Sequence, residues 1–247
     1  MVYTDAHRFF LQILTARRLI LAPEVKNTYE KCCARFNVPS DNLQEFIQEI
    51  NQELEAMHLR IRKSVQEDTA TDTQCFVIIN LLSGEATRMA STLSQQELAL
   101  FRCIIEKIVQ SDDGQIPEME AINIGTFLEP RMKTGDCEEV VERLVQEKWL
   151  LLHIQEERML SLSALTASEL QVYLEESYPE SVHKCFFCKI LTIKGHSCTK
   201  CSTAVHRKCG LKFWTHQNSQ SPVCPDCGET WSHVEVNLPQ KRQKLKS

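Results

Sequence analysis

Apolar residues in the first 180 positions recur mostly at intervals of three and four, which places them on one face of a helix. A first helix is predicted after a cap at Thr4 or Asp5, and a second from Pro23, which suits a first helical turn, to about Phe36. The third and strongest repeat consists of Leu43, Phe46, Ile47, Ile50, Leu54 and Met57. Because these six side chains share one face, the third helix must pack against another element.

The period then changes to that of β-strands. Residues 58–65 alternate between polar and apolar, a polar turn follows through Asp72, and the apolar run 75–79 has the composition of a buried strand. Three helices followed by a β-hairpin describe a winged helix, so this fold is predicted for residues 1–90.

The same order of elements recurs further along the chain. Ser94 and Glu97 form a capping box that begins a helix, a short middle segment follows, and another amphipathic helix starts near Asp136. Residues 149–152 and 159–162 then flank a polar turn as a second hairpin. These features predict a second winged helix, in a chain that is mainly α-helical with short β-hairpins.

A last helix is predicted over about 168–177, before Tyr178-Pro179, because the residue before a proline avoids the helical conformation. The composition changes beyond this point. The predicted domains are a winged helix at 1–90, a second winged helix at 91–180, a cysteine-rich domain at 181–235 and a basic, disordered tail at 236–247.

Twelve cysteines fall into two groups. The five scattered ones, for which we predict packing roles, are Cys32, Cys33, Cys75, Cys103 and Cys137. The other seven join one histidine in four pairs, each with two residues between its members, in the series Cys185-x2-Cys188-x9-Cys198-x2-Cys201-x4-His206-x2-Cys209-x14-Cys224-x2-Cys227. Pairs at this spacing turn both side chains onto one tetrahedral ion, so the series predicts two zinc ions.

The spacers favour an interleaved cross-brace. The first predicted site consists of Cys185, Cys188, His206 and Cys209, and the second of Cys198, Cys201, Cys224 and Cys227. With four protein ligands on each ion, no position is left for an activated water, so a structural role is expected and hydrolytic zinc catalysis is not. Three other histidines of this region are predicted to be surface residues and not ligands: His183, His196 and His216.

The net charge of −5 hides an asymmetry between the two parts of the chain. Residues 1–182 hold 17 basic and 30 acidic residues, whereas residues 183–247 hold 11 basic and 3 acidic ones. A region with a net charge of −13 is repelled by phosphates, so direct DNA binding by the winged helices is expected to be weak; the densest basic candidate is Arg60, Arg62 and Lys63. The basic tail is read either as a solvated segment or as a nuclear-import or DNA-contact segment.

The ligand order alone fits both RING variants and PHD fingers. PHD fingers usually have a large aromatic residue where this chain has Pro222, which argues against a histone-tail reader. RING domains usually hold apolar residues before the second ligand and after the sixth, and a proline within the last pair. The residues at these positions, which could form a groove for a conjugating enzyme or pack between the knuckles, are Phe187, Phe213, Trp214 and Pro225.

Tandem winged helices followed by this histidine-containing RING variant resemble the non-SMC element one family, the RING subunit of the Smc five/six complex. The most specific matches are the ligand series, the segment from Cys198 to Cys209, Glu147-Lys148-Trp149-Leu150 and Tyr178-Pro179. The resemblance implies a nuclear, chromosome-associated ubiquitin ligase subunit that acts in DNA repair and recombination. It also implies docking of the winged helices onto a MAGE-type partner and onto the kleisin subunit.

A RING-type ligase forms no covalent bond to ubiquitin, so no catalytic nucleophile is expected among the cysteines. RING domains with strong activity often add a basic residue after the last ligand, whereas Cys227 is followed here by Gly228 and Glu229. Activity that depends on the partner is therefore expected, and the alternative is a non-catalytic subunit that only scaffolds the complex. With neither a membrane-spanning apolar stretch nor the features of a signal peptide, the chain is expected in the cytosol or nucleus.

Overall fold

The structure is a computed structural model that describes residues 3–67, 72–81, 93–154, 156–217, 221–231 and 234. The tail predicted at 236–247 lies outside these residues. Among the described helices, none is long and apolar enough to cross a membrane.

The first winged helix is built around a three-stranded antiparallel sheet. Its elements are α1 (Asp5–Arg17), β1 (Leu19–Leu21), α2 (Ala22–Arg35), α3 (Leu43–Leu54), β2 (Leu59–Gln66) and β3 (Thr73–Asn80), with strand order β1-β3-β2. Helix α3 begins where the Asn42 side chain accepts hydrogen bonds from the backbone N–H groups of Gln44 and Glu45. Its apolar face, which includes Phe46 and Ile50, packs against α1 and β2, and the Phe46 ring also contacts Tyr29 of α2.

The second winged helix repeats this connectivity. Its elements are α4 (Gln95–Gln110), β4 (Ile116–Pro117), α5 (Glu118–Thr126), α6 (Thr134–Gln146), β5 (Leu150–Ile154) and β6 (Arg158–Leu162), with strand order β4-β6-β5. The capping box at the start of α4 is present, because the Ser94 backbone N–H donates to Glu97 at 2.6 Å and the Ser94 hydroxyl accepts from the Glu97 backbone. The predicted fold class is confirmed, while the domain bounds at residues 90, 180 and 235 stay predictions.

The helix predicted over 168–177 is wrong in its start and in its continuity. The structure has two short helices, α7 (Ala164–Glu169) and α8 (Gln171–Ser177), which are separated at Leu170. Helix α7 begins early because the Ser163 hydroxyl accepts from the Thr166 backbone N–H. Its first residues are apolar because they pack on the first winged helix.

Helix α7 joins the two winged helices by a buried seam along the β2–β3 hairpin. Ala164 and Leu165 pack against the face of β3 that carries Cys75, Val77 and Ile79. Polar contacts reinforce this packing: the Ala164 N–H donates to the Gln66 side chain at 3.0 Å, and the Ser168 and Ser64 hydroxyls are 2.8 Å apart. The β2–β3 hairpin therefore packs against α7 as well as against the helices of its own domain.

Candidate metal centre

The cysteine-rich module consists of short strands and one helix. Its elements are β7 (His183–Lys184), β8 (Leu191–Thr192), β9 (His196–Ser197), β10 (Ala204–Val205) and α9 (Arg207–Gln217), with β7 paired to β8 and β9 paired to β10. Regular structure is sparse, so the turns that carry the cysteines determine the shape of the module.

Three of the four ligand pairs lie on turns of the same kind. In each turn, the carbonyl of the first cysteine accepts from the backbone N–H four residues later, and that residue has a positive φ; the three residues are Lys189, Ser202 and Gly228. This tight turn directs both thiols to the same side. The fourth pair, His206 and Cys209, faces inward from the first turn of α9.

The turns bring the eight predicted ligands into two clusters. One holds Cys185, Cys188, His206 and Cys209, the other holds Cys198, Cys201, Cys224 and Cys227, and the ligand atoms within each cluster lie within 4.8 Å of one another. The Cys198 and Cys227 sulfurs are 3.6 Å apart, as are those of Cys201 and Cys224. The interleaving of the pairs along the chain makes the two clusters a cross-brace.

The spacing of these atoms suits a tetrahedral metal ion. Zinc bound to sulfur at about 2.3 Å separates two sulfur ligands by roughly 3.8 Å, close to the distances in the second cluster. The donors suit zinc as well, since thiolate and imidazole are its usual structural ligands. The structure thus supplies two sites that could hold metal ions, and their occupancy by zinc stays a prediction.

The pKa values of the crowded thiols also indicate a site for a cation. In the first cluster, hydrogen bonds from Cys188 and Cys209 hold the pKa of the Cys185 thiol far below its ordinary value, while the same crowding raises the pKa of Cys209. Burial opposes ionisation of Cys198 in the second cluster, but backbone hydrogen bonds from Lys200 and Cys201 lower its pKa to about 6. A divalent ion stabilises all of the thiolates at once.

His206 is fully buried, and its two ring nitrogens face different groups. Nδ1 lies 3.2 Å from the Cys188 sulfur and points into the cluster. Nε2 lies 3.1 Å from the carbonyl oxygen of Leu191 and 3.7 Å from a carboxylate oxygen of Glu67. Glu67 directly follows β2 of the first winged helix, and no spacing rule in the sequence connects it with the cysteines.

Two tryptophans form the core between the clusters. Trp214 is 1% exposed, its indole N–H donates to the Val223 carbonyl at 2.8 Å, and its ring lies 5.6 Å from that of Trp231. The prediction that Trp214 lines an exposed groove is therefore wrong, because the module fills its centre with this side chain. His196, predicted to be a surface residue, is half-buried beside both tryptophans.

Phe187 and Phe213 remain accessible on one side of the module. The Phe187 side chain is 38% exposed, and its ring lies 5.0 Å from that of the half-buried Phe213. Both line a cleft of about 580 Å³ whose opposite wall includes Val65 and Gln74 of the first winged helix. Pro225 is half-buried in a turn of the second cluster and is not among the described residues along this cleft.

Two residues of the densest basic segment of the winged helices, Arg62 and Lys63, make contacts within the chain. The Arg62 guanidinium donates to the Gln171 side chain at 2.7 Å, and the Lys63 ammonium lies 5.8 Å from the Phe76 ring centre. These contacts reduce what Arg62 and Lys63 can offer to a phosphate backbone.

The scattered cysteines give a first prediction, which concerns metal removal. Cys32 and Cys75 are fully buried, and burial raises the pKa of their thiols to about 11 and about 12. The thiolate is the reactive form, so both are protected by burial and by protonation at neutral pH.

After removal of metal with a strong chelator, we expect iodoacetamide to modify the seven module cysteines while Cys32 and Cys75 stay unmodified in peptide mass spectra. Fully denatured protein, in which all twelve react, is the control; modification of Cys75 as fast as Cys201 would contradict this expectation.

The chain is similar to known proteins over nearly its whole length. The family model described as "Nse1 non-SMC component of SMC5-6 complex" matches residues 7–170. Non-structural maintenance of chromosomes element 1 homolog from Bos taurus is 33% identical over 98% of this chain and 91% of its own length, and the Homo sapiens homolog is 32% identical over 94% and 86%. A chain from a solved Nse1-Nse3-Nse4 complex is similar with a TM-score of 0.79 and 27% identity, over 95% of this chain and all of that one.

Proposed function

This chain belongs to the Nse1 family of non-SMC components of the SMC5-6 complex, and on that basis we propose that it is a RING-type E3 ubiquitin-protein ligase subunit of the complex. The observation that supports ligase activity most is an accessible aromatic pair, the exposed Phe187 and the half-buried Phe213, beside two cross-braced four-ligand clusters. This combination suits the binding of a ubiquitin-conjugating enzyme.

In this proposal the module acts by positioning. Zinc in the two clusters would stabilise the fold of the module, and the eight ligands leave no open position for a metal-bound nucleophile. Phe187 and Phe213 bind the conjugating enzyme, and the orientation of its thioester-linked ubiquitin allows a substrate lysine to attack. No residue of this chain becomes covalently linked to ubiquitin.

We propose that the winged helices bind the MAGE-type subunit Nse3 and the kleisin subunit Nse4, the proteins present in the similar complex. Large apolar side chains on the second winged helix support protein docking, since Phe127 is 82% exposed and Ile154 is 74% exposed. The acidic charge of residues 1–182 and the engaged basic side chains favour such partners over DNA, so direct DNA binding is weak in this proposal. The complex would place the protein on chromosomes in the nucleus, where it takes part in DNA repair.

The test is single-turnover discharge of ubiquitin from a charged conjugating enzyme to free lysine, with and without the MAGE-type partner. We expect Phe187→Ala to slow discharge at least about tenfold, which corresponds to about 1.4 kcal/mol of lost binding in the productive complex. Leu211→Ala is the matched control, because Leu211 is a similarly exposed apolar residue of the same module outside the cleft. Equal discharge by wild type and Phe187→Ala would refute the proposed groove.

A specific observation favours the second candidate, a scaffold subunit without ligase activity. The two residues directly after the last ligand, Gly228 and Glu229, are not basic, and the Glu229 carboxylate lies 3.2 Å from the Lys200 ammonium. These two positions therefore supply no cation that could restrain ubiquitin. Failure of zinc-loaded protein to discharge ubiquitin under any condition, with the partner bound, would favour this candidate.

A further inference from the structure

Glu67 is a buried carboxylate that belongs to the first winged helix by sequence and to the cysteine-rich module by its contacts. One of its oxygens accepts from the Thr192 hydroxyl. The other accepts from the backbone N–H groups of Ile193, at 2.9 Å, and Lys194, at 3.1 Å. A carboxylate is expensive to bury unless donors surround it, and these three donors come from the end of β8 and the turn that follows it.

The same segment, β8 and the turn after it, contacts a ligand of the first metal cluster. Leu191, whose carbonyl oxygen is 3.1 Å from Nε2 of His206, directly precedes the residues that bind Glu67. The Glu67 carboxylate itself lies 3.7 Å from this nitrogen. The side of the His206 ring that faces away from the cluster therefore has one carbonyl at hydrogen-bond distance and one carboxylate just beyond it.

We propose that Glu67 is a positioning residue of the first metal site. It orients His206 by holding the β8 segment that carries the Leu191 carbonyl and by placing negative charge beside Nε2, which keeps the proton on Nε2 and leaves Nδ1 free for the metal. Carboxylates in this position stabilise metal-bound histidines in many proteins, and their loss typically weakens metal binding about 10–100-fold. The inference rests on the proposal that the site holds zinc.

A second carboxylate of the same hairpin, Asp72, also connects the first winged helix to the cysteine-rich module. Asp72, before β3 on the same hairpin, is buried and accepts from the Lys208 backbone N–H at the start of α9, at 2.9 Å. That contact attaches the start of α9, which carries Cys209, to the first winged helix, and it is made to a backbone N–H and not to the β8 segment that Glu67 binds. In this proposal, retention of zinc in the first site therefore depends on Glu67, a residue of another domain.

The test uses the full-length, zinc-loaded chain and its Glu67→Gln variant. Zinc release to a colorimetric chelator is followed together with alkylation of individual cysteines, which reports the site that empties. We expect release from the first site to become about 10–100-fold faster, with alkylation of Cys188 and Cys209 preceding that of the second-site cysteines, which react only after the cross-brace has lost its first ion. Glu169→Gln is the matched control, since Glu169 is a similarly buried interdomain carboxylate that accepts from the Asn80 backbone N–H, away from both clusters.

A second readout reports the histidine itself. In protein with ¹⁵N-labelled histidine, we expect the His206 Nε2–H proton to exchange with solvent faster and its resonance to shift in Glu67→Gln but not in Glu169→Gln. If Glu67→Gln does not fold, Thr192→Val removes one of the three donors and is expected to change exchange and release in the same direction.

The outcomes are distinguishable. Unchanged release and an unchanged imidazole signal in Glu67→Gln would overturn the inference and leave the proposed zinc sites intact. Equal acceleration at both sites, matched by Glu169→Gln, would also overturn it, because domain docking alone would then explain the effect. Wild-type protein that binds no zinc would overturn the inference and the proposed RING together.

Discussion

Replacement of Cys198 by serine is expected to unfold the cysteine-rich module and to leave both winged helices folded. A structural zinc supplies on the order of 10 kcal/mol of folding free energy, and a serine hydroxyl is a much poorer ligand than a thiolate. The module has little else to hold it together: apart from cysteines, the buried apolar cluster within its described residues comprises Val205, Trp214, Trp231 and Val234. Loss of one site should therefore unfold the whole cross-brace.

Metal content and tryptophan fluorescence measure this effect. Two of the three tryptophans, Trp214 and Trp231, lie in the module, so its unfolding should shift the emission to longer wavelength and lower the zinc content from two ions to one or none. Far-ultraviolet circular dichroism should retain most of its helical signal, since most helices lie in the winged helices. Cys103→Ser, outside both clusters, is the control; a Cys198→Ser protein that retains two ions would contradict the assignment of Cys198 as a ligand.

The second large effect is expected from Trp214→Ala. Removal of a fully buried tryptophan leaves a cavity and typically costs about 3–5 kcal/mol. It also removes the hydrogen bond to Val223, which connects α9 with the segment that leads to the last ligand pair. In zinc-loaded protein, we expect hydrogen exchange in α9 to rise by two orders of magnitude or more.

Phe187→Ala provides the comparison, because this exposed ring is expected to leave the exchange of α9 within about threefold of wild type while impairing ubiquitin discharge. Comparison of the two variants thus distinguishes the packing role of Trp214 from the binding role of Phe187, which the sequence analysis assigned to the same groove. The reverse result, normal exchange but lost discharge in Trp214→Ala, would return Trp214 to the groove.

The elements that depend on local pattern could be predicted from the sequence. The apolar face of α3 and the capping box at Ser94 specify helices because the signal lies within a few consecutive residues. Strands β1 and β4 were missed because three and two residues are too few to show a period, and pairing with β3 and β6 is what makes them strands. The start of α7 was missed because its apolar residues face another domain.

The same distinction holds at the candidate site. Ligand pairs can be read from sequence because both members lie on one tight turn. The difference between Phe187 and Trp214 could not be read, since both are aromatic residues near ligands and only the packed module buries one of them. Glu67 gave no signal because its partners lie 125 or more residues away and most of them are backbone groups.

The seam along the first hairpin has a consequence for synthesis of the chain. Strand β3 ends at Asn80, whereas the helix that covers its apolar face begins at Ala164. At about 5–20 residues per second, the ribosome needs roughly 4–17 s to make the intervening segment. During that time the nascent protein carries a strand pair with an uncovered face, so we expect ribosome-associated chaperones to bind there until the second winged helix emerges.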